Sequence, residues 1–215
     1  MSDTKERILM TALRAFAKNG YEAVSVSMIA GELGMTKGAL YKHYKNKRDI
    51  FDSIVERMYR LDAERSREHE VPEESYEADS AAYTRVSMDS VKSFATAQYE
   101  FWTNDEFASN FRRLLSLERY RNAEMAKLYE SCITVGPVEY MSDIFREMMS
   151  RGQLAKADPK QLALEFYAPL YLLINAADTA EDRSELSRLL DDHIEGFIRQ
   201  NTNNISEERN EVHQK

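Results

Sequence analysis

The stretch Ser25 to Lys47, SVSMIAGELGMTKGALYKHYKNK, gathers the side chains of this 215-residue chain best suited to meet a polyanion. Lys37 can donate to guanine O6 and N7 or to a phosphate. Gly38 leaves the backbone bare for close approach, and Ala39 has the size to touch a thymine methyl. Tyr41, Lys42, His43 and Lys47 carry donors that suit phosphate oxygens, contacts that set register without reading bases. Thr36 and Lys47 stand at expected helix starts, where free backbone N–H groups also attract phosphate. Ser25 and Ser27, opening the preceding helix, are further phosphate or base candidates. The partner such chemistry suits is double-stranded DNA. A basic cluster by itself is more often a plain solvated helix face, so the elements around it decide.

Those elements are legible from spacing. Asp3 and Glu6 form a capping-box pattern, Ile8, Leu9, Ala12, Leu13 and Phe16 recur at helical intervals, and Gly20 is a stop. Ser25 caps a second helix with Val26, Ile29, Ala30 and Leu33 on its apolar side, ended by Gly34. Thr36 caps a third from Lys37 to Tyr44, and a fourth runs from Lys47 to Arg67 with Ile50, Phe51, Ile54, Met58 and Leu61 on one face. Two short helices joined by a tight turn form a helix-turn-helix, whose second helix enters the major groove. Ile29, Leu33, Leu40 and Tyr44 would then face a three-helix core, and Lys37, Gly38, Tyr41 and Lys42 the DNA.

Charge distribution agrees with this placement. The net charge of −8 argues against nucleic acid, yet residues 1–50 carry +4 and the remainder −12. Phosphate binding follows the local patch rather than the whole-chain balance. With 43% apolar residues, seven Gly and four Pro, and long runs rich in helix formers, the fold class is all-α. The single cysteine, Cys132, excludes an internal disulfide framework and a Cys-rich zinc site, and fits a small buried apolar residue in a reducing compartment. The N-terminal residues lack an apolar signal core, and the run Phe166 to Ala177 is too short to span a bilayer. A soluble, cytoplasmic protein without membrane contact is expected.

Beyond the head, residues 68–80 hold six acidic residues, Pro72 and no Lys or Arg, the composition of a solvated connector. Helices are expected near 81–102, 104–117, 121–149, 159–179 and 183–200, with Pro137 and Pro169 kinking or breaking two of them. The polar stretch 201–215 lacks periodicity and reads as a disordered tail. The domains expected are therefore 1–50, 51–200 and that tail. Two apolar stripes stand out: Ala163, Phe166, Leu170, Ile174 and Ala177, and Leu186, Leu190, Ile194 and Phe197. They serve either an internal core or a four-helix interface with a second copy, and a helix-turn-helix dimer on a palindrome needs such an interface. Aromatic residues are dense between 99 and 171. Most belong to a core, but Trp102, Phe107, Phe111, Tyr129, Phe145, Tyr167 and Tyr171, with Asn110 and Asn175 as polar groups, are candidates to line a pocket.

Residues 5–51 resemble the N-terminal domain of the tetracycline-repressor (TetR/AcrR) family of bacterial regulators. The resemblance rests on Phe16, Gly20-Tyr21, Ser25-Val26, Ile29-Ala30, Leu33-Gly34-Met35, Thr36 to Tyr41, His43-Tyr44 and Asn46-Lys47. Ser25 stands where Thr is common, and Met35 where Val or Ile is common. The resemblance implies a homodimeric repressor with a small-molecule domain after the head, released from a palindromic operator by its ligand; the Met and aromatic residues of that domain suit an apolar or amphipathic effector. A regulator or activator controlled by a protein partner, without an inducer, is the alternative.

An enzymatic reading finds little to hold. The four histidines, His43, His69, His193 and His213, form no metal-spaced pair, and no phosphate loop or nucleophile elbow occurs. No metal or cofactor is expected. His193, next but one to Glu195, reads as solvent-exposed.

Overall fold

The structure, a computed structural model, describes the backbone of residues 3–212 and side chains to residue 202. Among the described residues every regular element is helical: α1 (Asp3–Asn19), α2 (Val26–Glu32), α3 (Lys37–Leu40), α4 (Lys47–Glu68), α5 (Ser80–Tyr83), α6 (Met88–Asn104), α7 (Glu106–Glu118), α8 (Ala123–Ile133), α9 (Val135–Ser150), α10 (Pro159–Ala176) and α11 (Ser184–Val212). None is long and apolar enough to cross a membrane.

Two compact units result, and they do not follow a simple linear cut. The first holds residues 1–62 together with 104–130, and the second holds 63–103 with 131–215. The expected boundary at residue 50 falls inside α4. It moves to 62 because Ile50, Phe51, Ile54 and Met58 are buried along α4 and continue the core of the head. The first unit also draws in α7, which packs on α1.

In the first unit, Ile8, Leu9, Ala12, Leu13 and Phe16 put one side of α1 into the core. Ile29 and Ala30 from α2, Leu40 from α3, Tyr44, and Phe107, Phe111, Leu114 and Leu115 from α7 meet them there. Burial of this order, at about 25 cal/mol per Å2 of apolar surface, is what orders helices as short as α2 and α3. Gly34, at φ +65, ends α2. Met35 N–H reaches Ala30 O at 2.9 Å and Gly34 N–H reaches Gly31 O at 3.1 Å, the paired bonds of a Schellman stop.

In the second unit α9 packs on α10, and α10 on α11. Its centre is a triangle of rings, Phe145, Phe166 and Phe197, with centroids 4.8 to 5.6 Å apart. The expected single helix over 121–149 is two, broken between Ile133 and Val135, with Pro137 in the first turn of α9. Gly136 belongs to the break: a Cβ there would lie 1.9 Å from the backbone oxygen of Ser131. The expected helix over 81–102 likewise divides into α5 and α6. Residues 68–80 are more than a solvated connector. Val71 and Pro72 are buried, and Tyr140 Oη donates to Pro72 O at 2.7 Å. Tyr83 Oη donates to Glu74 O at 2.9 Å. Composition shows the acidic surface of this segment but not the tyrosines that reach back to its backbone.

Helix α11 continues to Val212, so the polar composition after residue 200 does not end it. Asn201 and Thr202 bond back to the carbonyls of Phe197 and Ile198, and Ala155 N–H donates to Asn201 O. The last part of the expected tail, residues 213–215, lies outside the described residues. His193 is half-buried rather than solvent-exposed, with its Nε2 2.9 Å from Phe166 O.

Candidate nucleic-acid interface

Helix α3 is a single turn, and its two sides divide cleanly. Thr36 caps it, the hydroxyl accepting from Ala39 N–H at 3.2 Å. Leu40 is fully buried and Tyr44, just beyond, is 1% exposed. Tyr44 Oη donates to Lys5 O at 3.2 Å, and burial pushes its phenol up to about 12. The opposite side carries Lys37, Gly38, Tyr41 and Lys42, all exposed, with Ala39 and His43 half-covered. Lys37 Nζ lies 5.6 Å from the Tyr41 ring centre, an attraction that holds the two side chains beside each other. Ser25 caps α2 through Met28 N–H at 3.2 Å, and Ser25 and Ser27 are both exposed.

Gly38 is informative because nothing inside the chain asks for glycine there. Its φ is not positive, and a Cβ would meet no atom nearer than Thr36 Oγ1 at 4.0 Å. An exposed glycine inside a helix costs about 0.5–1 kcal/mol relative to alanine.

Lys47 has a different setting from the one expected. Its ammonium donates to Tyr21 O at 2.9 Å, sits 4.2 Å from the Tyr21 ring centre and lies 3.7 Å from Glu22. Only 22% of the side chain is exposed. The residue therefore holds the turn between α1 and α2, and any phosphate contact uses the hydrogens left over.

That turn is the part of the site that sequence reading passed over. Tyr21 packs between Phe16 and Phe51, at 5.1 and 5.4 Å between ring centres. Burial raises the Tyr21 phenol above its ordinary 10.0. Its backbone N–H donates to Glu118 Oε1 at 2.9 Å, and Glu118 is 3% exposed. Two outer ion pairs lie in the same unit. Arg14 makes a two-pronged pair with Glu106 at 2.5 and 2.9 Å, and Arg48 does so with Glu124 at 2.5 and 2.7 Å. Hydrogen bonds from these arginines hold both carboxyls below the usual range. As exposed pairs each contributes about 0.2–1 kcal/mol, whereas the buried carboxylate bond at Tyr21 belongs to the class worth about 1.5–3 kcal/mol. The signal available in the sequence was the Gly20-Tyr21 pair itself, a helix stop followed at once by a large ring.

The other expected sites fare differently. The nine pocket candidates fall into both units: Phe107, Asn110, Phe111 and Tyr129 in the first, Trp102, Phe145, Tyr167, Tyr171 and Asn175 in the second. Their polar handles are used at home. Asn110 Nδ2 donates to Glu106 O, Asn175 Nδ2 to Tyr171 O, and Tyr167 Oη to Ile133 O. Phe145 belongs to the ring triangle, and Phe107 stacks with Phe111 under Arg57. An open, mainly apolar groove of about 750 Å3 lies elsewhere in the second unit, along Val135, Val138 and Leu164 with Lys160 and Gln161. None of the nine candidates lines it. Aromatic density marked packing, as it usually does.

The stripes proposed for an interface are also core. Ala163, Phe166, Leu170, Ile174, Ala177, Leu190, Ile194 and Phe197 are all buried within the chain, and Leu186 is half-buried. A helical repeat marks a covered face without saying which molecule covers it. The face of α10 left open carries Leu164, Ala168 and Leu172, spaced by four, with Leu164 48% and Leu172 66% exposed. Leu189 on α11 is exposed too.

Comparison with known proteins agrees with this geometry. Residues 8–54 match the family model for bacterial regulatory proteins of the tetR family. Over 56 residues the chain is 45% identical to YerO of Bacillus subtilis, described as an uncharacterized HTH-type transcriptional regulator. Over 54 residues it is 43% identical to the HTH-type transcriptional regulator AcrR of Shigella flexneri. These segments cover 26% and 25% of this chain, and only 19% and 25% of the two relatives. The fold extends further. SmeT, the repressor of the Stenotrophomonas maltophilia multidrug efflux pump SmeDEF, superposes with a TM-score of 0.62 at 20% identity, covering 93% of this chain and 91% of SmeT. SmeT in its triclosan complex gives a TM-score of 0.65 at 19% identity over the same shares. Residues 8–54 thus match the tetR family of bacterial regulatory proteins in sequence, and the helical body of the chain matches SmeT in fold.

Proposed function

We propose that the chain is a sequence-specific transcriptional regulator that binds a palindromic operator in duplex DNA as a homodimer and is released from it by a small molecule, acting as a repressor. The observation that carries the proposal is the two-sided α3: Leu40 and Tyr44 are buried, while Lys37, Gly38, Tyr41 and Lys42 face outward. The outward set holds groups suited to bases and phosphates around an exposed glycine that leaves the backbone bare for close approach. Ser25, Ser27, Thr36, Ala39, His43 and the remaining hydrogens of Lys47 complete the contact set. The exposed Leu164, Ala168 and Leu172 of α10 supply an apolar face for a second copy, which a palindrome requires. Release by an apolar or amphipathic effector is supported by analogy of fold to SmeT, which has been solved with triclosan. A cytoplasmic location follows from the same proposal.

The test is selection of bound fragments from a random duplex pool by the full chain. An enriched inverted repeat with half-sites about one helical turn apart is expected. A pool that stays random would overturn the proposal, and a single unrepeated site would overturn the dimer.

A further inference from the structure

We infer that Glu118 is a positioning residue for DNA binding, fixing the turn that delivers the chain into the helix-turn-helix although it touches no DNA. The inference rests on the DNA-binding reading above. Its basis is how Tyr21 is held. The Glu118 carboxylate takes the Tyr21 N–H at 2.9 Å, and the Lys47 ammonium gives to the Tyr21 carbonyl at 2.9 Å. Both backbone groups of one turn residue are thus gripped by side chains of opposite charge, one ending α7 and one opening α4. The fit leaves no slack. A Cβ on Gly20 would stand 2.5 Å from Glu118 Oε1, so the turn backbone sits against the carboxylate.

From that turn the path to the DNA side is short. Ser25 caps α2 four residues later, α2 packs on α3, and α3 carries the outward Lys37, Tyr41 and Lys42. The segment from α7 into α8 holds the head at three places, Arg14 by Glu106, Tyr21 by Glu118 and Arg48 by Glu124. Of the three, the outer pairs have side chains roughly half exposed, whereas Glu118 is 3% exposed. Salt screens the outer two and leaves the buried one in force. Under conditions in which such a protein meets DNA, Glu118 carries most of the alignment.

Charge and position make opposite demands, which gives the test its sign. Removing a negative charge from the basic head should, by long-range electrostatics alone, tighten DNA binding. Loss of alignment should weaken it. Full-length Glu118→Ala and Glu118→Gln are compared with wild type on the fragment recovered from the random pool and on a scrambled duplex. For Glu118→Ala, specific affinity is expected to fall roughly tenfold or more. Affinity for the scrambled duplex should hold or rise and the salt slope should hold, because the phosphate contacts are intact and one negative charge is gone. Glu118→Gln keeps an acceptor oxygen and should lose less, with the Tyr21 amide proton moving upfield in the 1H–15N spectrum. If Glu118→Ala fails to fold, the glutamine variant decides by itself. A folded Glu118→Gln with a shifted Tyr21 signal and wild-type or tighter specific affinity overturns the inference. Should wild type enrich no sequence, the DNA reading falls and this inference with it; enrichment by wild type with indifferent variants removes this inference alone.

Discussion

The carboxylate of Glu118 occupies the space that a Cβ on residue 20 would need, with 2.5 Å between them. Gly20 also has φ +85, a region where an L side chain costs about 1–2 kcal/mol. Gly34 shares the left-handed backbone, at φ +65, but a Cβ there would meet nothing within 4 Å. Gly34→Ala should therefore cost about 1 kcal/mol. Gly20→Ala adds displacement of a buried acceptor and should cost more than about 2 kcal/mol. Urea unfolding of the two variants checks the order; equal losses would mean that the crowding at Glu118 is relieved at no cost.

Gly38→Ala should separate folding from binding. Alanine is the better helix former and the site has room, so stability should hold or rise by up to about 1 kcal/mol. Operator affinity should nevertheless drop at least tenfold if the backbone lies against the duplex edge. Melting curves and a binding titration on the same preparation read both quantities.

The lysines should not behave alike. Lys42 is exposed, and Lys42→Ala should weaken binding to all duplexes and flatten the salt dependence by about one unit. Lys37→Ala should relax preference at one base position, at about 1–3 kcal/mol. Lys47→Ala should lower the melting temperature as well, because the ammonium bridges to the Tyr21 carbonyl. A Lys47→Ala variant as stable as wild type would show that bridge to be dispensable.

Alkali should open the first unit before the backbone is chemically attacked. Burial raises the Tyr44 phenol from 10.0 to about 12, so the fold favours the neutral form. That contribution is whole below pH 10 and is lost as pH rises from there toward about 12. Tyr44→Phe should lack this part of the decline. Unfolding midpoints at pH 8 and pH 11 measure it. On the acid side, Glu106 and Glu124 have lowered carboxyl values, so their pairs contribute above the ordinary 4.5 and fade as pH falls below it.

Two leucines two residues apart on α10 should give opposite phenotypes. Leu172→Asp lies on the open face, 66% exposed, and should give a folded monomer that binds the operator poorly. Leu170→Asp places a charge in a site 4% exposed and should destabilise the chain itself, by several kcal/mol. A sizing column after a melting curve distinguishes them. Dimers that survive Leu172→Asp would move the interface elsewhere.

The head was legible because its determinants are local. Ser25, Gly34 and Thr36 cap and stop helices within a few residues of themselves, and the apolar spacing of α1 and α2 marks their inner sides. Leu40 and Tyr44 fell on the buried side as expected. Long-range pairings were not legible. Nothing near Tyr21 announces Glu118, 97 residues away, and nothing near Pro72 announces Tyr140. The stripes of α10 and α11 leave open whether the same chain or a second copy covers them, and Phe166 is covered by Phe145 and Phe197 of the same chain. Polar composition after residue 200 likewise gave no hint that the backbone stays helical to Val212.

The one-turn length of α3 has a consequence for how such a protein can change its target. Leu40 alone anchors the helix inward, with Tyr44 following, while Lys37, Gly38, Tyr41 and Lys42 have no structural duty to the interior. On the proposed DNA-binding reading, supporting and address-bearing positions are thus disjoint sets. New operators can then be explored by exchange at four sites without taxing the scaffold, which would make this turn a natural cassette for retargeting by selection.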